Sequence, residues 1–166
     1  MGRGAWLSVV SNPLERVFPK LVSTGYQVTS PATTDYNCIA WAAGDDAEWW
    51  WPDRSGFGYW PPHIERAETL EAFIAAYGTL GYEPCADGEL EADHEKVALY
   101  VDAHSKPTHA ARQLPSGNWT SKLGEWEDIE HNSPEGVAGM VYGTVRQYLR
   151  RPLSAFSGEM TETTNP

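Results

Sequence analysis

Between Asp45 and Ile64 the chain carries Glu48-Trp49-Trp50-Trp51-Pro52 and Gly58-Tyr59-Trp60-Pro61-Pro62, which place four of its eight tryptophans within twelve residues. This stretch has neither the three-to-four spacing of a helix nor the alternation of a strand. It therefore predicts a long ordered loop held down by its own rings. The loop divides the chain into a short helical block before it and a helix followed by strands after it. With 166 residues and 41% hydrophobic content, the chain can bury one core, so residues 1–153 are expected to form a single domain. Residues 154–166 are polar and aperiodic, and predict a loose tail.

Local signals place the elements around that loop. Thr33-Thr34-Asp35 offers an N-cap, Tyr36 to Ala43 is compatible with a helix, and Gly44 supplies a stop, which puts Cys38 in the first turn. Leu70, Phe73, Ile74 and Tyr77 recur at helical spacing, so Glu65 to Tyr77 predicts an amphipathic helix closed by Gly78. Val97 to Val101 reads as a strand. Thr108 to Leu114 and Trp119 to Leu123 read as two more, joined across Pro115-Ser116-Gly117-Asn118. Tyr142 to Arg151 fits either a final helix or a strand. Helix first and antiparallel sheet later gives an α+β class, with the two layers packed face to face.

Charge narrows the partners. Twelve Lys and Arg against 23 Asp and Glu leave a net charge of −11, which opposes contact with nucleic acid or an anionic membrane. No apolar run approaches a membrane span, and Met1 to Leu7 lacks the apolar core of a secretory signal, so a cytoplasmic protein is expected. The two cysteines, Cys38 and Cys85, are then expected to be free. His63 with Glu65, and His94 with Asp93 and Glu95, match no zinc or calcium spacing; neither metal nor cofactor is expected.

A cysteine attacks as its thiolate, and the first turn of a helix favours that form. Cys38 has this position, although most free cysteines are small buried hydrophobes. His109, 71 residues downstream on a predicted strand, is followed by the small Ala110 and Ala111, which let another element approach. The ordinary alternative is a half-exposed strand histidine with a routine hydrogen bond. A cysteine at a helix start followed by a distant strand histidine is the order that Cys–His catalysis uses.

Tyr36-Asn37-Cys38-Ile39-Ala40-Trp41-Ala42, then Thr108-His109-Ala110-Ala111, then Trp119 to Gly124 resembles the papain-like cysteine hydrolases in their compact bacterial form. The layout is similar to NlpC/P60 and CHAP domains and to papain-like toxin domains. The resemblance covers residues 26 to 150 in the order of elements. It implies a nucleophile helix packed on a central antiparallel sheet, with Cys38 attacking and His109 as base. It also implies a third polar residue orienting His109, for which Asp128 is the first choice and Glu125 the second, with Glu127 and Asn118 behind them. Both acids also fit a merely solvated run. His131 is a further candidate. A donor beside the nucleophile would complete an oxyanion hole, and Asn37 and Gln27 are the nearest side chains for it.

Trp50, Trp51 and Trp60 could wall a substrate cleft, or they could form a satellite core pinning the loop. The leading expectation is hydrolysis of a peptide or isopeptide bond through a thioester on Cys38, with a peptide or protein as substrate. Deamidation and acyl transfer share the same first step. The competing expectation is a non-enzymatic acidic binding, immunity or adaptor module in which Cys38 is buried. The position of Cys38 Sγ relative to the nitrogens of His109 separates the two.

Overall fold

A computed structural model describes residues 13–153; the predicted tail at 154–166 and the amino-terminal reading lie outside the described residues. Two short helices, α1 (Pro13–Val17) and α2 (Lys20–Thr24), lead into strand β1 (Tyr26–Ser30). Helix α3 (Cys38–Ala42) precedes the tryptophan-rich loop, and α4 (Leu70–Gly78) follows it. Then come β2 (Glu83–Cys85), β3 (His94–Val101), β4 (Pro107–Gln113), β5 (Trp119–Lys122) and β6 (Asp128–His131). A 3-10 turn at Pro134–Val137 and the long strand β7 (Thr144–Pro152) complete the chain.

All seven strands join one antiparallel sheet in the order β1-β6-β5-β4-β3-β7-β2. The class is α+β, as the sequence predicts. The sheet is covered on both faces, however, rather than on one. Strand residues alternate between faces. On one face Val97, Leu99, Ala110 and Leu149 pack beneath Ile39 and Ala40 of α3 and Phe73, Ala76 and Tyr77 of α4. On the other, Ala98, Tyr100, Ala111, Trp119 and Ile129 pack against Leu14, Phe18, Leu21 and Val137. Each fully buried large apolar side chain, such as Phe73 or Leu21, stabilises the fold by roughly 1.5–3 kcal/mol.

Several boundaries differ from the sequence reading for local reasons. Helix α4 begins at Leu70 rather than Glu65, because the Thr69 hydroxyl accepts the Ala72 N–H at 3.2 Å and caps the helix there. Residues 65 and 66 serve the loop instead: Glu65 accepts the Trp60 indole N–H, and the Arg66 guanidinium donates to the carbonyls of Asp53 and Gly58. Helix α3 is shorter than Tyr36 to Ala43, since its cap is Asn37, not Asp35. The final segment is a strand, paired along the whole of β3. Strands β1, β2 and β6 are short and were not marked by apolar alternation.

Candidate functional site

Asn37 fixes the start of α3 and the adjoining loop together. Its Oδ1 accepts the N–H of Ala40 at 3.1 Å and of Trp50 at 3.0 Å, while its Nδ2 donates to the Trp50 carbonyl at 2.8 Å. Both polar atoms of that side chain are engaged in this clamp, so Asn37 is first a structural cap, and only the second N–H of its Nδ2 remains for the oxyanion role expected of it. Gln27, the other candidate, lies on β1 at the sheet edge.

Cys38, the first residue of α3, directs its sulfur toward the Thr108 carbonyl at 3.9 Å. Burial pushes its thiol up to about 11, against the lowering effect of backbone hydrogen bonds and of Lys122. The thiol is therefore protonated at neutral pH. It nevertheless lines a cleft of about 820 Å³.

No hydrogen bond joins Cys38 to His109 among the described residues. Across the β3–β4 pair, Leu99 faces Ala110 on the side covered by α3, while Tyr100 faces His109 on the opposite side. The His109 ring contacts Tyr100 at 5.1 Å and stacks on Tyr142 at 4.0 Å and 9°. The expected Cys38–His109 pair is not hydrogen-bonded among the described residues, and strand parity turns the His109 side chain to the face of the sheet opposite α3.

On its own face His109 is part of a buried chain of polar groups. Its Nε2 lies 3.0 Å from Ser121 Oγ, which lies 2.8 Å from His131 Nε2, and His131 Nδ1 lies 2.8 Å from the Ser133 carbonyl. A carbonyl only accepts, so His131 carries its proton on Nδ1. Ser121 then donates to His131 Nε2 and accepts from His109 Nε2–H. His109 Nδ1 is left as a bare acceptor with no hydrogen-bonding partner among the described residues. Burial pushes both rings toward the neutral form, His131 down to about 4 and His109 well below the ordinary histidine value.

Asp128 does not orient His109 either. Paired with Lys122 across β5–β6, it lies on the α3 face, where Tyr36 and Ser30 donate hydroxyl hydrogens to its Oδ2. Burial and this carboxylate push the Tyr36 hydroxyl up to about 12. Lys122, fully buried beside them, donates to the carbonyls of Gly124 and Trp126. Glu125 is exposed in the turn between β5 and β6, and its neighbour Glu127 is half-buried there. Asn118 donates to Glu130.

The tryptophans divide. Trp50 and Trp60, each 5% exposed, are core: Trp50 donates to Asp45, and Trp60 meets Phe73 edge-on at 5.0 Å. Their expected place in a substrate wall is corrected. Trp51 does line the cleft, together with Trp49, Phe57, Tyr59, Thr108 and Tyr142. Sequence reasoning missed Tyr142, Phe57 and the cleft acids Asp35, Glu48 and Asp53. Only Asp53 carries a signal: Ser55, Gly56 and Gly58 behind it form a turn that folds onto its carboxylate. Among the described residues no group of three His, Cys, Asp or Glu could hold a metal, and no helix is long and apolar enough to cross a membrane.

Fold and site together define an α+β domain with an aromatic cleft built over a capped cysteine. The chain belongs to the DUF7689 family, a domain of unknown function, whose match spans residues 27–150 and so runs from β1 into β7. No curated protein and no solved structure matches it.

Proposed function

We propose that this protein is a non-hydrolytic recognition module that holds an extended segment of a partner peptide or protein in the cleft lined by Trp49, Trp51, Tyr59 and Cys38. The observation that carries this reading is the position of His109 across the sheet, which leaves the Cys38 thiol, pushed up to about 11 by burial, without a hydrogen-bonded base among the described residues. A cleft of about 820 Å³ with five aromatic residues in its walls is of the size that ligand sites occupy. The charge of −11 argues against nucleic acid as the occupant and suits a basic protein partner.

A second reading, papain-like hydrolysis, is favoured by one feature. His109 has its Nε2–H tied to Ser121 and its Nδ1 lone pair unengaged, the protonation pattern of a general base, and Tyr142 borders both that ring and the cleft. Alkylation of Cys38 by iodoacetamide across pH, in a Cys85→Ser background, separates the two. The binding reading expects a rate that rises only as pH approaches about 11. An apparent pKa well under the free-thiol value of about 8.5, abolished in His109→Ala, would overturn it in favour of hydrolysis.

A further inference from the structure

Resting on the reading of the cleft as a binding site, its wall chemistry names the occupant more closely. Trp49, Trp51, Phe57 and Tyr59 line it, and Phe57 is 94% exposed, an unusual state for a phenylalanine with nothing to cover it. Asp35, Glu48 and Asp53 line the same cleft, and none of the described lining residues is basic. Asp53 is already satisfied by Ser55, the N–H groups of Phe57 and Gly58, and Arg66 at 3.7 Å. Asp35 and Glu48 are exposed and make no ion pair among the described residues. The cation behind the floor, Lys122, is buried and held by two carbonyls, so it does not neutralise them at contact range.

Ring faces are electronegative and attract cations, and uncompensated carboxylates beside them add to that preference. Next to Tyr142 in the chain, Met140 and Val141 are exposed as well. A cleft of about 820 Å³ exceeds what a single small cation needs. We infer that the occupant is an extended segment of a partner protein which places a basic side chain, guanidinium or ammonium, against the aromatic wall, with Asp35 and Glu48 as its counter-charges.

The test uses the full chain and capped heptapeptides that differ only at the central residue: Arg, its neutral isostere citrulline, Lys, Leu or Glu. Binding is followed by calorimetry and tryptophan fluorescence. Arg and Lys peptides are expected to bind at least about tenfold tighter than citrulline or Leu, with Glu the weakest. Salt should erode that advantage, because the acids are exposed. An Asp35→Asn/Glu48→Gln double variant with an unchanged melting temperature should bring Arg down to the level of citrulline. Equal binding of Arg, citrulline and Leu peptides would overturn the cationic occupant while leaving the binding reading standing. Equal binding of capped free arginine and the Arg peptide would overturn the extended segment. Absence of binding by every peptide would sink both readings.

Discussion

Asn37 concentrates three hydrogen bonds in one buried side chain, and its loss exposes that concentration. Asn37→Ala removes the cap of α3 and strands the N–H and C=O of Trp50, so a loss of roughly 2–4 kcal/mol is expected in urea denaturation. Asn37→Asp keeps both acceptor contacts and should lose less. Ser121→Ala cuts the chain between two buried histidines, leaving His109 Nε2–H and His131 Nε2 without their partner, at a cost of about 2–4 kcal/mol. Part of this was legible in the sequence. The first-turn position of Cys38 followed from the polar run before it and Gly44 after it, although the cap is Asn37 and not Thr33-Thr34-Asp35. The face of His109 did not, because it depends on register with Tyr100, and a slip of one residue reverses it. Nor did the role of Asp128, whose partners Tyr36 and Ser30 lie 92 and 98 residues away in the chain.

The tryptophan-rich loop behaves as a small structure of its own. Trp50→Ala and Trp60→Ala should cost about 3–5 kcal/mol each, whereas Trp49→Ala, at a side chain 40% exposed, should shift stability by less than about 1 kcal/mol. Thermal melts of the three variants check the division. The sequence announced that this segment is ordered but not which rings turn inward, since it lacks the periodicity that assigns faces. The turn at Gly139–Gly143 is equally constrained. Gly143 has φ +75°, and a Cβ there would stand 1.9 Å from the Val101 carbonyl oxygen. Gly143→Ala should destabilise by more than about 2 kcal/mol and displace Tyr142, which a change in the fluorescence of the cleft tryptophans would register. Strand β6 escaped notice because Asp128-Ile129-Glu130-His131 ends an acidic run that reads as solvated, whereas three of the four are buried.

For the molecule as a whole, the two buried histidines set an acid limit. Both have folded-state pKa values below the ordinary 6.5, so the unfolded chain binds protons that the native state refuses. Stability is full above pH 6.5 and falls as pH drops below it, for His131 down to about 4 by on the order of 1 kcal/mol per unit, with His109 acting in the same direction. Urea midpoints measured at pH 7.5, 6 and 5 should decline in that order, and His131→Gln should flatten the decline. The sheet order has a kinetic consequence as well. In the sheet, strand β1 at Tyr26–Ser30 is the edge beside β6 at Asp128–His131, so its ladder closes about three-quarters of the described chain into one loop. The Asn37–Trp50 clamp, by contrast, spans 13 residues. Loop-closure entropy then orders assembly: the aromatic wall forms early from local contacts, and the edge strand zips on last. Substitutions in β1 should accordingly speed unfolding while leaving the folding rate nearly unchanged.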